Sequence, residues 1–136
     1  GLRTLDLRLD RHEKNTKEVV KYLSKQKKIK EVLYPFKKNS KNYRNWKKYY
    51  SGATGLLGLV IKTKSKSSVY RFVNSLELFG IGYSWGGFES LAVYQDIQRE
   101  FHKYKSKNLH IVRLHIGLED PKDLISDLKK SLRYIK

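Results

Sequence analysis

Two short stretches of this 136-residue chain hold side chains whose types and spacing could do chemistry. The first is Ile81-Gly82-Tyr83-Ser84-Trp85-Gly86-Gly87-Phe88-Glu89-Ser90-Leu91, where a β-prone segment enters a Ser-Trp step and breaks at paired glycines. Glycine admits positive φ and close backbone approach, so the side chains just ahead of the pair can be aimed into a cleft. The second is Arg113-Leu114-His115-Ile116-Gly117-Leu118-Glu119-Asp120, an arginine inside a run that otherwise reads as a strand. A guanidinium fork matches a carboxylate bidentately, which suits Arg113 to holding an anion. Taken alone, the same residues also fit a Gly-Gly hairpin and a strand with a charged outer face. Arg113 could equally pair with Glu119 or Asp120, and Trp85 could be a core or interface aromatic.

Further stretches extend the pattern. Gly1-Leu2-Arg3-Thr4-Leu5 is followed by Arg8, His12 and Asn15, and later comes Ser51-Gly52-Ala53-Thr54-Gly55-Leu56. In this order, and over nearly the whole chain, these motifs resemble the carboxy-terminal domain of the pyridoxal phosphate (PLP)-dependent enzymes of cysteine and methionine metabolism. Within that family the cystathionine β-lyases are the nearest match. The resemblance implies an α/β fold, specifically an α+β two-layer sandwich. This is the small carboxy-terminal domain of the fold type I, aspartate aminotransferase-like PLP enzymes, with a long N-terminal helix and a mostly antiparallel sheet carrying helices.

The implied activity is C–S β-elimination of cystathionine to homocysteine, pyruvate and ammonia, a step of transsulfuration and methionine biosynthesis. Arg113 is implied to anchor the substrate α-carboxylate. Ser84 and Trp85 are implied to line the same pocket, with Tyr83 nearby on the substrate side. Trp85 points to β-lyases because several γ-active relatives carry leucine there, while cystathionine γ-synthase and γ-lyase stay open as alternatives. Glu89 and Ser90 are expected to hold the loop rather than touch substrate.

Such a reaction needs an electron-sink cofactor, a base at Cα, a carboxylate anchor and a leaving-group pocket. The family's cofactor lysine, its aspartate partner for the pyridine nitrogen, its stacking tyrosine and its glycine-rich phosphate turn have no counterpart in this sequence. Lys64, in the turn Thr63-Lys64-Ser65-Lys66, lacks the flanking pattern of the Schiff-base lysine. The chain is therefore expected to contain no catalytic, cofactor-binding or metal residues of its own. It should be catalytically incompetent alone and should not bind PLP, which belongs to the complete enzyme. Residues 1–136 are read as one carboxy-terminal domain, with residues 1–25 a long helix bridging to a missing PLP-binding large domain. The expected partners are that domain, the amino-acid substrate cystathionine and further copies in a homo-oligomer.

The elements that must position these residues follow from periodicity. Leu2, Leu5, Leu9, His12, Thr16, Val19 and Leu23 step by threes and fours along one helical face. Ile29 to Tyr34 alternates as a strand and is stopped by Pro35. Phe36 to Tyr50 interleaves aromatics with lysines, which reads as a loop or short helix pinned by its rings. A single-strand stacking platform is the competing interpretation.

Gly55 to Ile61 is a buried strand by its continuous apolar run, and Ser67 is predicted to cap a helix through Leu78. Leu91 to Tyr94 is a further strand; residues 95–108 are polar and receive no role. In the Leu109–Ile116 strand, Val112, Leu114 and Ile116 share one face, with Ile111, Arg113 and His115 on the other. Asp120 and Pro121 open a last helix whose inner stripe is Leu124, Ile125, Leu128, Leu132 and Ile135.

Composition narrows the classes. The chain has no cysteine, which removes disulfides, thiolate metal sites and cysteine nucleophiles, and suits a cytoplasmic setting. No apolar run nears the ~18 residues of a membrane span, so no membrane partner is expected. The four histidines, His12, His102, His110 and His115, show no ligand spacing. The net charge of +17 comes mostly from scattered lysines, alongside many Asn, Ile and Tyr residues. We read it as a compositional bias rather than a specific nucleic-acid surface. A basic nucleic-acid-binding or self-associating module is the alternative.

Overall fold

The computed structural model describes residues 1–96 and 108–136. The segment 95–108, given no role above, falls largely outside the described residues, as does His102.

The chain opens with a 3-10 turn, Leu2–Thr4, that leads into helix α1, Leu5–Leu23. Only its second half is buried. His12, Asn15, Thr16, Val19, Val20 and Leu23 face the body, whereas Leu2 and Leu7 are 86% and 73% exposed. The predicted stripe is therefore real, but its first two turns carry no buried residue.

Strand β1 is Ile29–Leu33, and a short helix α2, Tyr43–Tyr49, follows the turn at Pro35. Strand β2, Leu56–Lys62, is the apolar run. Helix α3 is Lys66–Asn74, β3 is Gly80–Ile81, β4 is Leu91–Gln95, β5 is Leu109–His115 and α4 is Pro121–Leu132.

These strands form one sheet in the order β1-β2-β5-β4-β3. All neighbours are antiparallel except β3 and β4, which run parallel. Parallel strands cannot be joined by a tight turn. The segment Gly82–Ser90 is accordingly a crossover loop, which overturns the Gly-Gly hairpin suggested by sequence.

Register places Leu59, Val112 and Tyr94 side by side, and likewise Leu57, Leu114 and Ala92. These residues join Val19, Leu23, Phe72, Leu124 and Leu128 in the apolar core, so α1, α3 and α4 cover that face of the sheet. The arrangement is the two-layer α/β sandwich expected. Helix α4 begins at Asp120, whose carboxylate accepts from Lys122 N at 2.8 Å, with Pro121 at its first position. At the other end, Lys28 Nζ donates to the carbonyls of Leu132 at 3.1 Å and Ile135 at 2.6 Å. A cation there complements the helix C-terminus.

Helix α3 departs from its predicted bounds. Ser65, not Ser67, is the cap, accepting from Ser68 N at 3.2 Å. The helix stops at Asn74 rather than Leu78 because buried Asp127 of α4 takes the next free amides. Glu77 N lies 3.1 Å and Leu78 N 2.8 Å from its carboxylate. A tertiary acceptor thus replaces the last helical turn, and no local pattern in the sequence marks it.

Candidate functional site

Arg113 lies on the sheet face opposite the helices, between Gly58 of β2 and Val93 of β4 in the register. This is the face assigned from period-two alternation. Its guanidinium reaches the loop after β3: Nη2 donates to Gly82 O at 3.2 Å and to Ser84 O at 3.4 Å. Its Cζ sits 5.8 Å from the centre of the Tyr83 ring, a cation–π distance. The structure therefore brings Arg113, Tyr83 and Ser84 together. Trp85 is on the same loop but 65% exposed, and its ring makes no hydrogen bond or ring contact among the described residues.

The carboxylates expected as competing partners of Arg113 are committed elsewhere. Asp120 caps α4. Glu119 accepts from Ser90 N at 2.7 Å and from Ser90 Oγ at 2.8 Å. Among the described residues, Arg113 has no carboxylate partner, and its Nε is buried without an acceptor. A half-buried guanidinium left in this state favours an incoming anion, because a charge-assisted bidentate contact replaces weak carbonyl contacts.

Several residues set the loop's position. Gly86 has φ +80°, a conformation that side-chain-bearing residues rarely adopt, so the path of the loop depends on it. Its N–H donates to His115 Nε2 at 3.1 Å. Ser90 Oγ also accepts from Gly117 N at 2.8 Å, tying the C-terminal end of the loop to the segment after β5. A side chain at position 117 would meet Phe88 O and the Glu119 carboxylate, so glycine is required there by close approach.

Of the two residues expected to hold the loop, Ser90 does so; Glu89 is exposed, and Glu119 supplies the carboxylate. Reading the sequence missed this role of Glu119 because the pairing spans 29 positions.

Helix α1 clamps the same segment from beneath. His12 Nδ1 donates to Ile116 O at 2.7 Å, and Asn15 Nδ2 donates to Gly117 O at 3.0 Å and Glu119 O at 2.8 Å. The His12 and His115 rings are 4.9 Å apart. Burial holds the His115 imidazole below its ordinary 6.5, with His12 and Arg113 pushing the same way and the Gly87 carbonyl and Glu119 opposing. The one local sign of this contact is the place of His12 on the apolar stripe of α1.

None of the described lysines is buried. A lysine that carries a cofactor works desolvated. The described lysines thus do not fit the role of holding the cofactor. Among the described residues no cluster of His, Asp or Glu could hold a metal, and no helix is long and apolar enough to cross a membrane.

The profile of the Cys/Met metabolism PLP-dependent enzymes matches residues 1–133, and the chain belongs to that family. A cystathionine β-lyase of Bordetella avium is 37% identical, covering 97% of this chain and 34% of its own length. An L-alanine/L-glutamate racemase of Wolbachia pipientis is 38% identical, again over 97% of this chain and 34% of its own length. A solved structure from Campylobacter jejuni, assigned as an O-acetylhomoserine (thiol)-lyase with a pyridoxyl-lysine monophosphate, superposes with a TM-score of 0.82. It is 30% identical, over 97% of this chain and 30% of that one. The chain thus spans about a third of the length of the curated relatives it matches.

Proposed function

We propose that this chain is the carboxy-terminal, substrate-carboxylate side of a cytoplasmic, homo-oligomeric PLP-dependent carbon–sulfur lyase acting on cystathionine. The observation that supports it is the Arg113 guanidinium, lodged under Tyr83 with no carboxylate partner among the described residues. Bound PLP supplies the electron sink that makes the Cα proton removable. The work of this chain is positional. Arg113 grips the α-carboxylate and fixes the orientation of Cα, and Tyr83 and Trp85 wall the substrate from water. Ser84 lines the carboxylate end of the pocket through its place beside the guanidinium. The exposed leucines of the first turns of α1 are the natural seat for the large domain. Without that domain the chain is inactive.

Amino-acid racemisation is a second reading, favoured by the 38% identity to the Wolbachia enzyme. Racemisation also begins at Cα and needs the same carboxylate grip, so Arg113 serves both and does not discriminate.

The test is an assay of the full-length enzyme containing this chain, with L-cystathionine for pyruvate release and L-alanine for D-alanine formation. Pyruvate release lowered about 10- to 100-fold by Arg113→Ala is the expected result. D-Alanine formation without pyruvate would move the assignment to the racemase. The isolated chain is titrated with PLP beside an unrelated lysine-rich protein. A stoichiometric, dilution-resistant absorbance band with cystathionine turnover would show that it carries its own cofactor lysine and overturn the proposal.

A further inference from the structure

A groove far in sequence from Arg113 lies between the second half of α1 and the segment running from Tyr34 into α2. It shares no residue with the loop Gly82–Ser90 or with β5. Its volume is about 640 Å³, within the roughly 300–1,000 Å³ of small-molecule sites. We propose that this groove binds a small amphiphilic anion, an apolar or aromatic body carrying a carboxylate, sulfonate or phosphate group.

The floor is apolar and braced. Val20 of α1 is buried, and Tyr34, Phe36, Tyr43 and Trp46 surround it. Phe36 meets Tyr34 at 4.9 Å and Trp46 at 5.3 Å, both edge-on, and Tyr43 meets Trp46 at 5.1 Å. Trp46 Nε1 is already spent on Gly52 O at 2.9 Å, so the indole offers the groove only its apolar surface. Edge-to-face packing locks the rings into a concave surface before any ligand arrives.

The rim is cationic. Lys17 and Lys21 of α1 and Lys25 just past its end recur every four residues on one wall, and Lys37 and Lys38 stand on the other. No lining residue is acidic. Lys17 is paired with Glu13, and Lys37 Nζ donates to Ser24 Oγ at 3.0 Å. Lys21, Lys25 and Lys38 are exposed and have no partner among the described residues. Unneutralised cations around an apolar floor attract a ligand that is apolar at one end and anionic at the other. A solvated lysine fringe that merely covers the rings would show no preference between charged and neutral ligands. A single-stranded nucleic acid would need ring faces presented in a row along a track. Here the rings close on one another in one hollow.

The probe is 8-anilino-1-naphthalenesulfonate, run beside its uncharged counterpart N-phenyl-1-naphthylamine, with binding mapped by heteronuclear NMR of the chain. The expected result is one saturable site, with shifts centred on Val20, Phe36, Tyr43 and Trp46. Combining Lys21→Glu, Lys25→Glu and Lys38→Glu, all at exposed positions, should weaken the sulfonate about tenfold and leave the neutral probe unchanged. Tyr43→Ala should weaken both probes with circular dichroism unaltered. Equal affinity for the two probes, or shifts centred on Leu2, Leu5 and Leu7 instead, would overturn the proposal. So would displacement of the sulfonate by an oligothymidylate, which would make the groove a polynucleotide surface.

Discussion

His115 accepts the Gly86 N–H at 3.1 Å through Nε2 while its ring lies 4.9 Å from that of His12. One imidazole thus joins α1 to the loop that carries Ser84 and Trp85. Accepting at Nε2 leaves the proton on Nδ1, which is buried without a partner, as is His12 Nε2. Protonating His115 removes the lone pair that holds Gly86 and adds a charge beside His12 and Arg113.

The pH dependence follows. The folded value of His115 is depressed below 6.5, so between those two values the unfolded chain binds more protons than the folded one. Stability from this group is complete above about pH 6.5 and is lost as pH falls toward the folded value. Urea midpoints of the chain at about pH 8 and about pH 5 should differ, the acid one lower. In His115→Gln, whose amide oxygen can still accept from Gly86, this contribution should vanish. An unchanged pH profile in that variant would assign the acid lability elsewhere.

Glu119 is the carboxylate on which the loop hangs, through two hydrogen bonds to Ser90. Glu119→Ala strands a backbone donor and a buried hydroxyl and should cost about 2–3 kcal/mol. Glu119→Gln keeps one acceptor and should cost about half as much. Gly117→Ala drives a methyl against Phe88 O and should destabilise by at least about 2 kcal/mol. Chemical denaturation monitored by circular dichroism measures all three.

Among the described residues Arg113 touches the chain through two loop carbonyls and the Tyr83 ring. Arg113→Ala should therefore change the stability of the chain by less than about 1.5 kcal/mol. In the full-length enzyme the same change should lower kcat/KM by about 10- to 100-fold, the range set by a lost charged hydrogen bond. Arg113→Lys keeps the charge but not the fork and should restore only part. A severe loss of stability in the chain alone would make Arg113 a structural residue.

Asp127 holds the stretch after α3 by accepting from Glu77 N and Leu78 N. Asp127→Ala leaves both amides without their acceptor and should cost about 2–3 kcal/mol, with Asp127→Asn markedly milder. Thermal unfolding of the two variants tests the ranking.

Lys28 differs from its neighbours Lys25 and Lys27 in reaching the α4 carbonyls. Lys28→Ala should cost about 1 kcal/mol, and the other two alanine variants about nothing. Equal effects at all three sites would remove the capping role.

What the sequence determined by itself was periodic or local. The α1 stripe, the apolar β2 run, the Asp120-Pro121 helix start and the alternation that turns Arg113 away from Val112 and Leu114 are all written in neighbouring residues. So are the ordered motifs that carry the family resemblance, and the glycine at position 86 that its positive φ requires. Only the tertiary structure decided the rest. The parallel pairing of β3 with β4 made the Ser84–Trp85 segment a crossover, not a hairpin. Asp127 ended α3 early, and Glu119 was drawn to Ser90, away from Arg113. Each of these turns on a polar group satisfying a partner distant in the chain. A buried donor or acceptor must find some partner, but nothing in its own neighbourhood says which. Folding selects that partner, and the same selection leaves the Arg113 guanidinium without a carboxylate among the described residues.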